Sequence, residues 1–341
     1  MADQFLSLPR EDQALLLKQY APDLDMLPFV LEKDIWLCWA LQQLFNMPEQ
    51  LPMAFKGGTS LSKVYRAIDR FSEDLDVTLD YRAFGETVTG NESRSALTRI
   101  SEKLKELVLK HTRDKVKPYF EEVLSQQFGA SGGKVELSKN GEQLYIHYPS
   151  AFDEKTAGYM PASVLIEFGG RNITEPNELH KVRPYMSTAL TNYAFPEPIV
   201  TVLALQRTYW EKATLVHVEC NRPSPRSNAE RLSRHWYDLH QMSKNLTDFQ
   251  SSSAQDLLAD VVCHKKMFFH YGYADYESCL SGALRLVPPE ELKKSLEVDF
   301  NLMVDALMFY QAPPPFKEIL TRLVEVEQLL NKSIVAHSKR G

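Results

Sequence analysis

Two aspartates one residue apart, Asp74 and Asp76, are the side chains of this sequence best placed to do chemistry. They lie in Asp74-Leu75-Asp76-Val77-Thr78-Leu79, where polar and aliphatic residues alternate with the period of a half-buried strand. On a strand, positions i and i+2 point the same way, so both carboxylates reach one volume. Phosphoryl transfer asks for that arrangement: hard oxygen donors converging on divalent metals that clamp the attacking and leaving oxygens, roughly 4 Å apart when two ions serve. Upstream, Lys56-Gly57-Gly58-Thr59-Ser60 reads as a turn opening a helix. Glycines permit close backbone approach, and backbone N–H groups with the Thr59 and Ser60 hydroxyls are suited to cradle a triphosphate. Each half alone is weak. D-x-D also occurs in sugar-nucleotide glycosyltransferases and in ordinary strands, and most G-G-T turns simply cap helices. The Walker pattern G-x-x-x-x-G-K-[ST] is absent, which disfavours a P-loop NTPase.

The elements around this pair follow from the same periodicities. Residues 11–49 read as helices, Met53-Ala54-Phe55 as a short apolar lead-in, and Ser60 to about Ile68 as the helix that returns the chain to the acidic strand. Residues 93–127 form a charged amphipathic helical region broken at Pro118. Gly129–Gly133 is a turn, two strands follow at about 143–148 and 162–168, and Ile199–Leu205 is an apolar run leading into a helix through about Glu219. The stretch Asn221–Asn228 is a proline-rich loop. Beyond it the chain reads as helical over about 229–243, 254–270, 289–309 and 316–334, broken by Pro288-Pro289 and Pro313-Pro314-Pro315. The expected fold class is α+β: N-terminal helices and an α/β part with a small mixed sheet over residues 1–205, then an all-helical part over 206–341.

The glycine turn followed by D-x-D across a short helix is the signature of polymerase β-like nucleotidyltransferases. Phe55–Lys63 and Arg70–Asp76 together resemble the first motifs of the AbiEii/AbiGii toxin family. The resemblance continues through Ile166–Arg171, Glu211-Lys212-Ala213, Arg231–Leu239, Val262–Lys265 and Leu286–Pro289, and covers roughly residues 30–330. It implies a metal-dependent nucleotidyltransferase toxin of a bacterial toxin–antitoxin or phage-defence system. Asp74 and Asp76 would hold magnesium, or manganese in its place; Lys56, Gly57, Gly58, Thr59 and Ser60 would meet the NTP. The expected acceptor is RNA, with a tRNA 3′ end as the best guess, and an antitoxin encoded nearby is the expected partner.

Further candidates rest on the family. Glu167 ends an apolar strand and by itself is as readily a solvated strand-end acid; the superfamily places a third carboxylate on a neighbouring strand, as base or metal ligand. Lys212, mid-helix, would by itself be a surface lysine; related toxins carry a functional lysine in that helix, suited to neutralise departing pyrophosphate. Asp238 could simply pair with Arg234 one turn away; the family places an essential aspartate in this R-x-x-D-L segment, which would orient Lys212 or the nucleotide. Ser72 would lie in the mouth beside the metal, open to nucleotide contact or self-modification. Lys56, Lys63, Arg66 and Arg70 flank the mouth and could meet phosphates, though each alone reads as solvated. Lys265-Lys266 with Phe268, Phe269, His270 and Tyr271 could stack and neutralise RNA, but such aromatics are more often core. The loop at 222–226 lengthens the Lys212–Asp238 connection relative to smaller tRNA-modifying toxins, which bears on the acceptor.

Composition bounds the rest. The 341 residues carry a net charge of −6 and 44% hydrophobic residues, so the chain as a whole is no basic nucleic-acid binder and any such contact needs a local surface. The four cysteines form no C-x-x-C pair, nothing reads as a zinc site, and no apolar run approaches the roughly 18 residues of a membrane span. The polar start, MADQFLSLPREDQ, is unlike a signal peptide, and a reducing, cytoplasmic setting is the expectation. Two rival readings stand beside the RNA-modifying enzyme: a nucleotide- or RNA-binding module without catalysis, and an enzyme placing AMP or UMP on protein hydroxyls.

Overall fold

The computed structural model describes residues 3–129, 132–153, 161–224, 230–244 and 249–339. The chain divides into two compact units: Met1–Val64, Ser72–Thr87 and Arg99–Leu203 form the first; Tyr65–Phe71, Val88–Thr98 and Ala204–Gly341 form the second.

The first unit is α+β. Strand β1 (Asp3–Gln4) precedes helices α1 (Arg10–Tyr20) and α2 (Pro28–Phe45), then β2 (Met53–Lys56), α3 (Gly57–Lys63) and β3 (Asp74–Asp80). Helices α4 (Arg94–His111) and α5 (Lys117–Phe128) lead to β4 (Lys134–Leu137), β5 (Gln143–His147), β6 (Ser163–Asn172) and β7 (Asn177–Lys181). The short α6 (Met186–Ala189), β8 (Tyr193–Ala194) and β9 (Ile199–Leu203) complete it. Among the described residues a seven-stranded mixed sheet runs in the order β4-β5-β6-β3-β2-β9-β7. The β3–β6 and β2–β9 joins are parallel and the remaining ones antiparallel. Strand β1 pairs with β8 in a separate two-stranded sheet.

Alternation decides the faces. Leu75, Val77 and Leu79 of β3, Val164, Ile166 and Phe168 of β6, and Val200 and Val202 of β9 are buried, while Asp74, Asp76 and Glu167 are half-buried on the other side. Helix α2 lies against β6 and β9 and is buried almost all round, so its sequence shows no clean amphipathic stripe. Helix α4 comes close to β6 at Gly170, where a Cβ would stand 2.2 Å from the Val108 side chain.

Two expectations shift, and two edge strands carry no sequence signal. The helix read as running to Ile68 stops at Lys63: Arg66 takes left-handed backbone (φ 49°), and the segment after it is extended, with Phe71 N donating to Met308 O at 2.7 Å. The break expected at Pro118 falls just upstream of it, in the π-helical turn Thr112–Val116, and α5 resumes with Pro118, which has no N–H to continue the ladder, in its first turn. The edge strands β4 and β7 carry no hydrophobic alternation long enough to read, and Leu179 at the middle of β7 is 72% exposed.

The second unit packs α7 (Leu205–Cys220), α8 (Arg234–Met242), α9 (Ser252–Phe268), α10 (Glu290–Asp305) and α11 (Phe316–Ser338). Tyr209 stacks on Phe249 at 3.8 Å, Phe300 meets Tyr237, Phe309 and Phe316, and the Trp236 indole donates to Leu286 O at 2.9 Å. Residues 225–228 of the expected loop and residue 229, read as the start of the next helix, lie outside the described residues. All four cysteines are free thiols, and among the described residues no helix is long and apolar enough to cross a membrane.

Candidate active site

The half-buried face of the first unit's sheet carries one polar row. Lys56 of β2 is paired in register with Asp76 of β3, Asp76 with Glu167 of β6, and Glu167 with Gln143 of β5. Residues paired across a sheet point to the same side, so this row sets a cation, two carboxylates and a carboxamide side by side. Asp74 stands in the next row, opposite Leu165 and two residues along β3 from Asp76. Gln143 Nε2 donates to Glu167 Oε1 at 2.8 Å, which fixes the direction of that carboxylate and leaves its second oxygen for other work.

Gly57, the residue after Lys56, closes the row. Its φ is +80°, and a Cβ there would stand 1.8 Å from Asp76 Oδ2. The glycine is thus required twice, by its backbone and by the carboxylate resting against it. Asp76 is seated against the turn, and a phosphate meeting that turn would meet the carboxylate as well.

The hydroxyls of this turn have another use than the one expected. Thr59 Oγ1 donates to Asp74 O at 2.6 Å, with Ser72 O at 3.1 Å on the far side, and Ser60 Oγ donates to Gly57 O at 2.9 Å. Both side chains are fully buried. They bind α3 to the start of β3 and brace the glycine turn. Ser72 is 8% exposed, and its carbonyl is one of the groups so held. Glu73, immediately before Asp74, is ion-paired to Lys33 of α2 at 2.9 Å. Lys63, grouped with the phosphate-facing cations in the sequence, is instead buried on Asp34 of α2 and lies over the Tyr185 ring at 4.1 Å.

Could a metal be held here? The donors, two aspartates on one face with a glutamate in register, are hard oxygens of the kind magnesium takes. Among the described residues no set of three or more His, Cys, Asp or Glu side chains is drawn together as a complete metal cage. Magnesium is commonly held by one or two carboxylates with the remaining positions filled by substrate phosphates and water, so two aspartates on one face are donors of the right kind and number. The residues fit the ion.

The second unit contains the other two family-based candidates, and they touch. Lys212 Nζ of α7 is 2.9 Å from Asp238 Oδ2 of α8. Arg70 completes the cluster with a bidentate fork: Nε to Oδ1 at 2.7 Å and Nη2 to Oδ2 at 2.8 Å. Asp238 is wholly buried. Burial works to raise its pKa, but the charges of Arg70 and Lys212 outweigh that and hold it well below the usual carboxylate range. Burial lowers the pKa of Lys212 against the pull of Asp238, and the neighbouring Arg70 charge adds to the lowering. Arg70 is therefore not the solvated cation that the sequence suggested. The signal was missed because its partner lies 168 residues away.

The aromatic-basic stretch divides. Phe268 is core; Tyr271 is 48% exposed and stacks on Tyr273 at 5.5 Å; Lys265 lies 4.5 Å over Phe269. Arg222 in the proline-rich loop forks onto Glu219 at 2.8 and 2.9 Å and lies over the Tyr273 ring.

A family model described as nucleotidyl transferase AbiEii toxin, type IV toxin–antitoxin system, matches residues 39–322. No curated protein matches. Two solved structures are similar over nearly the full chain. One is JHP933 from Helicobacter pylori: 14% identity, 91% of this chain and 95% of that one, TM-score 0.45. The other is the nucleotidyltransferase toxin MenT4 from Mycobacterium tuberculosis H37Rv: 15% identity, 97% of this chain and 99% of that one, TM-score 0.44.

Proposed function

This chain belongs to the AbiEii family of nucleotidyl transferase toxins, and from that premise we propose that it transfers a nucleotidyl group from an NTP to an RNA hydroxyl, best matched by a tRNA 3′ end. The observation that carries the reading is the carboxylate of Asp76 lying where a side chain on Gly57 would be, with Asp74 on the same face. A binder without catalysis has no need of two acids on one face, one of them resting against a glycine turn.

In this reading Asp74 and Asp76 hold Mg²⁺, or Mn²⁺ in its place. When bound, the ion neutralises triphosphate charge and so eases approach of an electron-rich oxygen. The backbone of Gly57 and Gly58, with the Lys56 ammonium, receives the phosphates. The acceptor hydroxyl oxygen forms a bond to the α-phosphorus as the bond to the β-phosphate oxygen breaks. Its proton passes to Glu167, whose direction is fixed by Gln143. Pyrophosphate leaves with the electron pair of the broken bond. Lys212 is given the part of neutralising that developing charge, with Asp238 holding the ammonium in place. An antitoxin encoded nearby is the regulatory partner that the family implies.

The test is transfer itself. Wild type and Asp76→Ala are incubated with each NTP labelled at the α-phosphate, Mg²⁺, and either total tRNA or total protein, and both are induced in growing cells. Wild type should label tRNA and arrest growth, and Asp76→Ala should do neither. Label on protein would replace the acceptor with protein hydroxyls. Equal growth arrest by both chains would falsify the assignment of the acids.

A further inference from the structure

We propose that the first unit carries a second ligand site, a pocket for an unpaired nucleobase of the adenine type, sharing no residue with the acidic row. A cavity of about 360 Å³ opens between the N-terminal segment around β1, the C-terminal part of α2, the end of α5 and the chain from β8 to Pro196. That volume falls in the range of small-molecule sites, roughly 300–1,000 Å³. None of its lining residues is charged, which leaves no anchor for a phosphate, carboxylate or ammonium.

What it presents instead is carboxamides and rings. Gln4, Gln42, Gln43 and Gln127 line it together with Trp39 and Phe195. Gln43 is only 8% exposed, and it lines the cavity beside Gln42. Gln127 Oε1 accepts from the Trp39 indole at 2.8 Å, which leaves its amide N–H groups as donors. The aromatic walls are braced: Phe195 stacks on Phe5 at 5.0 Å and 22°, and Trp39 is wedged against Trp36 at 5.3 Å and Phe120 at 6.0 Å.

A planar uncharged molecule with donors and acceptors along its edge and a face that stacks answers all of these features, and a nucleobase is such a molecule. Glutamine offers adenine the matching pair of bonds, one donated to N7 and one accepted from the N6 amino group. The inference does not rest on the catalytic reading, because a base without phosphate or metal satisfies it.

Adenosine is the probe. The full chain is titrated with adenosine, uridine and a short oligoadenylate in chelator without NTP, followed by calorimetry and ligand-observed NMR. Adenosine should saturate and exceed uridine. Gln43→Leu and Phe195→Ala should each weaken it by about tenfold or more. Asp76→Ala should bind as wild type does, so failure here and failure of the catalytic assignment are separate results. Oligoadenylate binding tighter than adenosine marks an RNA base as the source; equal binding marks a free nucleoside. Gln43→Leu keeps the volume, so its Tm should stay close to that of wild type; if it does not fold, Gln42→Ala gives the reading. Absence of saturation, or binding unaltered in both variants, overturns the proposal. Displacement of adenosine by a glutamine-rich peptide at lower concentration overturns it in favour of a protein-docking groove.

Discussion

Gly57 and Gly85 both hold left-handed backbone, φ +80° and +78°, yet they differ in what a side chain would meet: Asp76 Oδ2 at 1.8 Å for the first, nothing within 4 Å for the second. Alanine at either position incurs the left-handed penalty, about 1–2 kcal/mol. Only at Gly57 must the carboxylate move. Gly57→Ala should therefore abolish transfer while Gly85→Ala, with similar loss in chemical denaturation, keeps it; comparable activity in the two variants would remove the glycine turn from the site. The buried trio of the second unit separates stability from chemistry in the same way. Asp238→Ala leaves the Arg70 and Lys212 cations facing each other without an anion, which should cost about 3–5 kcal/mol. Lys212→Met leaves the two Arg70 bonds to Asp238 intact and should cost much less. If Lys212 serves the reaction, this milder variant loses transfer as fully as the harsher one, and a Lys212→Met chain with near wild-type turnover would reduce the lysine to a structural ion pair.

Strand β3 could be read from its sequence because it is half-buried, and burial on one face writes itself as alternation from Leu75 to Leu79. The same holds for β5 and β6, while β9 shows in the sequence only as the apolar run Ile199–Leu205; the long C-terminal helices announce themselves by length and by proline breaks. The edge strands β4 and β7 have too little buried surface to leave that mark. The site was legible only as far as local sequence carries it. Asp74, Asp76 and Gly57 lie within 20 residues of one another on elements that local pattern defines, and the in-register place of Glu167 beside Asp76 is a fact of strand order. The partners of Arg70 and Lys63 come from distant helices, and a lone basic residue gives no hint of them. What local reading missed at Thr59 has a measurable consequence. Its single hydroxyl proton serves the carbonyls of Asp74 and Ser72, so Thr59→Val would remove the side-chain donor at the root of β3. The expected loss is about 1–3 kcal/mol in stability, together with lower kcat at little changed KM, since the acids shift while the phosphate-binding backbone remains. Thr59→Ser restores the hydroxyl and should restore both.

Over the whole molecule, acid should act on the two units in opposite senses. In the helical unit burial holds the imidazoles of His217, His235 and His240 below their ordinary value of 6.5, and at His235 the charges of Lys212 and Arg234 push the same way. An unfolded chain takes up those protons below pH 6.5 and the folded unit does not, so stability that is complete above pH 6.5 is lost as pH falls towards the folded values. An imidazole that stays neutral throughout that window removes about 1.4 kcal/mol per pH unit. In the α/β unit burial does the reverse to two acids of α2, raising Glu32 above its ordinary 4.5 and Asp34 above 3.8. These take up protons in the folded state first, so their destabilising effect at neutral pH fades as pH falls towards 4.5 and 3.8; His111, also held below 6.5, opposes them with one imidazole. The depressed carboxyl of Asp238 does not enter, because the stability it supplies is lost only below 3.8. Lowering pH from 7.5 to 5 should accordingly loosen the helical unit first. Hydrogen exchange at the two pH values, corrected for the intrinsic rate, should show protection falling in α7 and α8 while β3 and β6 keep theirs. Simultaneous loss in both sets would mean that the helical unit does not open on its own and that its buried imidazoles do not set the acid limit.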